Sequence, residues 1–302
     1  MILSRRALIR GLTSTAVLGN RMAFGARAAA GLASEAPIWT HGISLLGNLK
    51  YPAGFAQFGY VNAHAPKGGL VRRAVIGTYD SFNLVIAGVK GNLVEGIDLI
   101  YDSLMVPSLD EVASEYGLIA EAAHYPADFS WVSFRLRREA RWHDGNVISP
   151  EDVIYSLETF RKLHPQLAAF YRHIVKAEKI GPLEVRFQFD RPGIRELPQV
   201  VGQLTVLPRH WWEGEAESGK RRDIAQTTLD PPLGSGPYRI KAFNAGQSII
   251  YERVADYWGN SLPVNIGTAN FQQLRFDYFR DPNVAFEAFH CSGVLETSPP
   301  SQ

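Results

Sequence analysis

Two adjacent residues, His143 and Asp144, have the types that could do acid–base chemistry or hold a metal ion. An imidazole beside a carboxylate can exchange a proton with a substrate, and both groups are metal ligands. The pair lies in a turn marked by Gly145, where successive side chains point in different directions. We therefore interpret the pair as turn residues that precede a helix, not as a catalytic or metal site.

Two further patterns suggest binding chemistry. The Gly-Ser-Gly segment at 234–236 has the composition of a phosphate loop, but no Lys-Ser or Lys-Thr pair follows it. Pro237 also lacks an N–H where a helix start would supply one. Trp211 and Trp212 could form an aromatic platform, although a pair of core residues on a helix is the more common arrangement. Both patterns are interpreted as packing elements.

A strand, a turn and a helix position the first of these candidates. Phe134 and Leu136 alternate with polar residues, which predicts a strand with one buried face. After the turn, Ser149 can accept hydrogen bonds from the free N–H groups of a helix start, Pro150 suits the first helical position, and Asp152 follows three residues after the cap. Apolar residues at 153, 157 and 160 continue with helical spacing.

Periodicity predicts the remaining elements. Strands are predicted over 70–76, 183–189 and 274–278, and a hairpin is predicted over 238–251 with its turn at 244–246. Leucine and isoleucine residues at 93, 97, 100 and 104 predict an amphipathic helix. A last helix is predicted to start at Asp281 and Pro282, and its pattern stops after Phe289.

Composition limits the classes of partner. The chain has 302 residues and is 46% hydrophobic, which is enough to build one large domain or two smaller ones. Residues 1–30 contain five arginines and no acid, so the rest carries 26 basic and 30 acidic residues. With no basic stripe, we expect no nucleic-acid partner. The single cysteine allows no internal disulfide, and we expect no cofactor and no metal.

The first 30 residues have the pattern of an export signal. Arg5 and Arg6 precede a short, weakly apolar stretch and a run of small residues with possible cleavage sites at 26–28 and 28–30. The arginine pair is typical of the twin-arginine route, and the Sec route remains an alternative. No later stretch approaches the ~20 apolar residues that cross a bilayer. We therefore expect a periplasmic protein with no transmembrane segment in the mature chain.

Several segments together resemble the family 5 extracellular solute-binding proteins, the peptide-binding components of bacterial ABC importers. The matching segments are residues 66–69, 79–83, 116–121, 134–145, 149–157, 234–238, 256–259 and 284–289. Each is weak alone, but their order and spacing cover nearly the whole mature chain. Pro-Lys-Gly-Gly at 66–69 and Asp-Tyr-Trp-Gly at 256–259 are most similar to the oligopeptide and microcin-type subgroup.

The resemblance implies a mixed α/β fold, the type II clamshell of periplasmic binding proteins, in which ligand is enclosed between two lobes. It implies an N-terminal arm at 31–69, a first lobe from 70–87 and 185–280, and a smaller inserted domain at 88–184. Residues 281–302 would hold the start of the hinge and an aberrant tail that follows Phe289. We thus expect a first lobe without the second, from a truncated chain.

The resemblance also implies a ligand and partners. Such proteins hold the ligand's backbone in the manner of an added strand, and the segment that matches the first-lobe ligand strand is Ala87, Gly88, Val89 and Lys90. Tyr171 is a further candidate, either flanking the cleft or packing the inserted domain. The expected partners of this monomeric protein are an oligopeptide and an inner-membrane permease complex.

Two alternatives to an impaired peptide carrier stay open at this point. A secreted hydrolase is disfavoured because the sequence has neither a Gly-x-Ser-x-Gly nor a His-Glu-x-x-His motif, although catalytic groups can be dispersed along a chain. The other alternative is a truncated gene product without function.

Overall fold

The computed structural model describes residues 38–216 and 218–292, the last four by their backbone alone. Within these ranges the chain forms eleven strands and five α-helices. The strands are β1 (Gly42–Ser44), β2 (Leu70–Ile76), β3 (Met105–Pro107), β4 (Ser114–Gly117), β5 (Ala120–His124), β6 (Trp131–Leu136), β7 (Ile174–Gly181), β8 (Glu184–Phe189), β9 (Tyr238–Asn244), β10 (Ser248–Arg253) and β11 (Gln273–Phe279). The helices are α1 (Pro150–Leu163), α2 (Pro165–Phe170), α3 (Leu197–Gly202), α4 (Arg209–Trp212) and α5 (Pro282–Ser292).

The strands form two four-stranded sheets and one three-stranded sheet. Sheet I has the order β2-β11-β10-β9, with β2 parallel to β11 and the other neighbours antiparallel. Sheet II has the order β5-β6-β8-β7 and is antiparallel throughout. The small sheet has the order β1-β4-β3. Helices and sheets are therefore mixed, as the expected fold class requires.

The predicted domain boundaries fall unevenly on these sheets. Sheet I is built entirely from residues assigned to the first lobe, whereas sheet II draws β5, β6 and β7 from the predicted insert. The boundary at 184/185 falls at the start of β8, which pairs with β6 on one side and β7 on the other. The division into lobe and insert itself stays a prediction. The predicted export signal at 1–30 and residues 293–302 lie outside the described part of the chain.

Local sequence signals account for the clearest elements. The predicted strands and hairpin correspond to β2, β6, β8, β9, β10 and β11. Helix α1 begins with a capping box, in which the Asp152 N–H donates to Ser149 Oγ and the Ser149 N–H donates to an Asp152 carboxylate oxygen at 2.9 Å. Helix α5 starts where Asp281 and Pro282 predict it, and its backbone continues three residues beyond Phe289.

The amphipathic helix predicted over 93–104 is wrong. This segment contains a 3₁₀-helix of four residues, Ile97–Ile100, and then an extended backbone. Gly96 has a left-handed backbone at φ 79°, which ends any helix that approaches from the preceding residues. The apolar residues are buried from several sides, because the 3₁₀-helix lies inside the main hydrophobic core. Helical spacing therefore arose without a helix.

Two hydrophobic clusters hold the elements together. The main cluster joins both four-stranded sheets and α1 through fully buried residues such as Phe134, Phe187 and Tyr251. A second cluster packs the N-terminal arm, through Tyr51 and Phe58, against the small sheet. The described part of the predicted arm is thus ordered on the protein, with its apolar side buried. None of the described helices has both the length and the apolar character to cross a membrane.

Candidate functional site

Three strands of sheet I end at the same edge. Strand β9 is antiparallel to β10, and β10 is antiparallel to β11, so β9 runs in the direction of the parallel pair β2 and β11. Their last residues, Ile76, Asn244 and Phe279, therefore lie at one carboxyl edge. Open α/β sheets bind ligands in the crevice outside the carboxyl ends of their strands. This edge is consequently the first place to look for a ligand site.

A groove of about 690 Å³ opens at the carboxyl edge, and we call it the edge groove. It is lined by β2 and β11, by the turn between β9 and β10, and by one residue of α5. Ligand pockets in proteins span roughly 300–1,000 Å³, so the groove is large enough for part of a peptide.

Charged side chains from two strands face each other in the edge groove. Asp277 accepts from Arg72 Nη2 at 3.0 Å and from Arg275 Nε at 2.8 Å, which places one carboxylate between two guanidinium groups. Arg280 follows β11 and also lines the groove. Arg72 and Asp277 are brought together by the parallel pairing of β2 with β11, although 205 residues separate them in sequence.

Tyr79 and Tyr278 connect the groove to the loop that follows β2. Tyr79 Oη donates to the Ser248 carbonyl at 2.8 Å and lies 3.1 Å from the Asn244 carbonyl, which holds the β9–β10 turn in place. The two tyrosine rings lie 4.9 Å apart. Tyr278 Oη accepts from the Glu95 N–H at 2.7 Å. The residues after β2 are therefore tied to the edge groove by hydrogen bonds at both ends.

The predicted ligand strand, residues 87–90, lies in this tied loop. It follows a 3₁₀-helix, Leu84–Ile86, which Asn83 caps. The N–H groups of Val89 and Lys90 both donate to the Ile86 carbonyl at 3.0 Å, and the Ala87 N–H donates to Leu84. These three N–H groups are therefore occupied. A peptide that pairs with this segment as a strand would have to donate hydrogen bonds to the carbonyl groups of the segment. Whether the segment contacts ligand stays a prediction.

The four residues of this loop are accessible to different degrees. Gly88 has φ 69°, and a Cβ added there would meet no atom within 4 Å. Val89 is 53% exposed, and Ala87 is partly buried. Lys90 is anchored by its side chain, which donates to Gln226 Oε1 at 2.9 Å. An open glycine beside an exposed aliphatic residue leaves room for a ligand backbone to approach.

Tyr171 lies away from solvent. It is 3% exposed, belongs to the main hydrophobic cluster and contacts the ring of Phe170 at 5.2 Å. Burial raises the pKa of its phenol far above the ordinary value, with a smaller contribution from Glu115. This surrounding corresponds to the packing role weighed for Tyr171, and contact with a ligand stays a prediction.

The side chains of the adjacent residues His143 and Asp144 bind different partners. His143 Nε2 lies 2.8 Å from the Gly236 carbonyl, and because a carbonyl only accepts, this nitrogen carries the hydrogen and donates it. Burial lowers the pKa of His143, which favours the neutral ring. Asp144 instead pairs with His210 Nε2 at 2.8 Å. Each residue fixes a turn, as the turn interpretation predicts.

The glycine-rich segment and the tryptophan pair are packing elements. The N–H groups of Ser235 and Gly236 both donate to the Ile100 carbonyl, at 3.0 and 2.9 Å. These donors are therefore occupied by the protein's own backbone and not by a phosphate. Trp212 is buried in the main cluster, and its ring meets that of Trp211 edge to face at 4.7 Å.

Asp102 is the central residue of a buried polar network. It is 4% exposed and accepts from Tyr257 Oη and Trp258 Nε1, each at 3.0 Å, while its own N–H donates to Ser235 Oγ. Burial raises the pKa of Asp102 to about 6, and hydrogen bonds from its neighbours oppose that rise. Tyr257 and Trp258 belong to the Asp-Tyr-Trp-Gly segment that resembles the family. Their hydrogen bonds to Asp102 give this segment a structural role, because they hold it against the chain near residue 102.

Glu115 is a second buried carboxyl group, on β4. It is 2% exposed; Oε1 accepts from Gln203 Nε2 at 2.7 Å, and Oε2 has no hydrogen-bond partner. Burial raises the pKa of Glu115 from the usual 4.5 to about 7, and the bond from Gln203 partly opposes it. A raised folded-state pKa means that the contribution of Glu115 to stability is complete below pH 4.5 and is lost as the pH rises through 7, roughly 3 kcal/mol in all.

We expect the variant Glu115→Gln to lose most of this pH dependence. Urea unfolding at pH 5, 6, 7 and 8 should show the free energy of unfolding falling with pH in the parent and falling clearly less in the variant, which keeps only the contribution of the other buried carboxyl group, Asp102. Glu121→Gln, which changes an exposed glutamate on β5, is the matched control and should follow the parent curve. Parallel curves for the parent and Glu115→Gln would contradict the assignment.

The family model for bacterial extracellular solute-binding proteins, family 5, matches residues 116–301. The chain therefore belongs to this family, as its sequence segments suggested. The uncharacterized protein y4wM of Sinorhizobium fredii is 49% identical over 85% of the chain, and the probable peptide-binding protein YejA of Agrobacterium fabrum is 47% identical over 87%. The chain covers 38% and 42% of these relatives, so it spans about two fifths of the length of the curated relatives it matches.

A solved structure shows the same fold. The oligopeptide-binding protein AppA of Bacillus subtilis, solved in complex with a nonapeptide, superposes with a TM-score of 0.59 and 19% sequence identity. The match covers 76% of this chain and 44% of AppA. The expected fold class, a periplasmic-binding-protein type of mixed α/β architecture, is thus confirmed.

The sequence did not point to the arginines of the edge groove. Arg72, Arg275 and Arg280 lie on or just after strands and belong to no recognisable binding motif, and charged residues on strands usually face solvent. A signal was present in the i, i+2 spacing of Arg275 and Asp277, which places both on one face of β11. Only the pairing with β2 adds Arg72 to that face.

Proposed function

We propose that this protein is the solute-binding component of a peptide importer of the ABC type. It binds oligopeptides in the periplasm through contacts with their backbone and presents them to an inner-membrane permease as a monomer. The supporting observation is the carboxyl edge of sheet I, where the edge groove and the tied loop at 79–95 lie side by side in a chain of family 5. The names of the Agrobacterium relative and of AppA support a peptide as the ligand class.

For this function the chain must first be exported to the periplasm. The arginine pair at 5–6 and the small residues at 26–30 direct the chain out of the cytoplasm, and cleavage leaves the binding region. In this role the residues present here supply one side of the ligand site. Contact through backbone groups makes the site tolerant of different peptide sequences.

The test is a titration of the isotope-labelled chain with short peptides, followed by nuclear magnetic resonance of its amide groups. Saturable shifts are expected at Gly77, Gly88 and Gly246, with little change in sheet II. At a peptide concentration ten times the Kd, the free energy of unfolding should rise by about 1.4 kcal/mol. A matching mixture of free amino acids is the control, since it lacks the peptide backbone.

Three other outcomes would contradict the proposal. The absence of any shift would favour a product without function. Shifts confined to sheet II would place the site elsewhere. Cleavage of the peptide during the titration would favour a hydrolase, for which no finding speaks at present.

A further inference from the structure

The edge groove differs in charge from the rest of the protein. Beyond residue 30 the chain has 26 basic and 30 acidic residues, so the body as a whole is acidic. The side chains that line the groove include three arginines and one carboxylate, that of Asp277. A concave positive region on an acidic body concentrates field lines and attracts anionic ligands.

The geometry leaves two positive charges uncompensated in the groove. The carboxylate of Asp277 is shared by Arg72 and Arg275, and one negative charge cannot neutralise two guanidinium groups. Arg280 is exposed at the end of β11, and no carboxylate among the described residues forms an ion pair with it. Arg72 donates to Asp277 through Nε and Nη2, and Arg275 donates through Nε, so Arg280 is the one of the three that binds no carboxylate of the groove.

Neutral polar side chains extend the same surface. Thr78 and Ser248 line the groove beside the arginines, Thr78 two residues after β2 and Ser248 at the start of β10. Thr78 Oγ1 donates to the Gly246 carbonyl at 3.0 Å, and a Cβ added at Gly246 would lie 2.6 Å from Thr78 Oγ1. A glycine is therefore required for this close approach, and it keeps the turn beside the groove in position.

We propose that the edge groove binds a carboxylate of the peptide ligand and that Arg280 determines a preference for acidic peptides. This inference rests on the proposed function and specifies its substrate class. A guanidinium presents parallel N–H donors that match the two oxygens of a carboxylate, a geometry that an amide ligand cannot use equally well. Asp277 keeps Arg72 and Arg275 in place, so the positive field is fixed before the ligand arrives.

The experiment compares pairs of hexapeptides that differ only in charge. One peptide carries two glutamates and an amidated C-terminus, its partner carries glutamine at both positions, and a third has the glutamines with a free C-terminal carboxylate. We expect the Kd of the glutamate peptide to be about tenfold lower than that of the neutral peptide, the size of one charge-assisted hydrogen bond. If the third peptide alone gains affinity, the carboxylate bound is that of the C-terminus, and the proposed preference for acidic peptides is refuted.

The variant Arg280→Gln should lose most of the preference for the glutamate peptide over the neutral peptide. Arg138→Gln is the matched control, because Arg138 is an exposed arginine near sheet II and lies outside the groove. Thermal melting of both variants checks that they fold. An unchanged preference in Arg280→Gln, or an equal loss in Arg138→Gln, would overturn the inference and leave peptide binding intact. If no peptide binds, the proposed function fails and this inference fails with it.

Discussion

Replacement of Gly234 by alanine is expected to destabilise the protein by about 3 kcal/mol, the upper range for overpacked sites. A Cβ at this position would lie 2.0 Å from the Ile100 carbonyl oxygen, a distance that two non-bonded atoms cannot share. The backbone must therefore move away. Ser235 and Gly236 would then lose the hydrogen bonds that they donate to the same carbonyl.

Urea unfolding of the purified variant measures the effect. Gly181→Ala is the control, because a Cβ there would have the Glu184 Cβ as its nearest neighbour at 3.4 Å, an ordinary van der Waals contact. The control should stay within about 0.5 kcal/mol of the parent. Equal stability of Gly234→Ala and Gly181→Ala would show that the backbone at Ile100 can move away from residue 234 without cost, which would contradict rigid packing at this contact.

Asp102→Ala is expected to have an effect of similar size, about 3 kcal/mol, because buried donors to a carboxylate would lose their acceptor. Trp258 Nε1 keeps a second acceptor in the Ser235 carbonyl at 3.1 Å, whereas the Tyr257 hydroxyl has Asp102 as its acceptor. Most of the loss should therefore come from Tyr257. The double variant with Tyr257→Phe tests this, since it should be more stable than Asp102→Ala alone.

The pH dependence of Asp102→Asn gives an independent check. Because burial raises the pKa of Asp102 to about 6, its contribution to stability is complete below its unfolded-state pKa of 3.8 and is lost as the pH rises through 6. Asparagine does not ionise, so the stability difference between the parent and Asp102→Asn should be larger at pH 5 than at pH 8. A difference that grows with pH would contradict the burial of this carboxyl group.

The buried network gives a physical reason for one family-like segment. Tyr257 and Trp258 donate hydrogen bonds to the carboxylate of Asp102. The N–H groups of Ser235 and Gly236 donate to the carbonyl of Ile100, two residues before Asp102. Three segments that are distant in sequence therefore meet at one point. Because these hydrogen bonds are buried, we expect their residues to contribute to stability.

Several elements were predictable because their causes are local. Strands such as β8 and β11 alternate apolar and polar residues, and the alternation follows from successive side chains facing opposite sides of a strand. The capping box of α1 needs only Ser149 and Asp152, which are three residues apart. The helix predicted over 93–104 failed because burial from several sides produces apolar residues at helical spacing, while Gly96 breaks the helix.

The candidate site was predictable only in part. The loop at 87–90 follows a segment that resembles the family, and the structure ties its continuation to the edge groove through Tyr278 and Glu95. Arg280 carried no local signal, because a single charge at a strand end is the ordinary condition of a protein surface. The proposed role of Arg280 in binding a carboxylate depends on Arg72 and Asp277, which line the same groove.

The amino-acid sequence by itself determined the positions of most strands, since each depends on neighbours within a few residues. It also determined the family and the mixed α/β class that the family implies, because segments in a fixed order along the chain resemble that family. Only the tertiary structure decided which side chains share the carboxyl edge of sheet I. The physical reason is the parallel pairing of β2 with β11, which joins residues about two hundred positions apart. No periodicity within either strand specifies that partner.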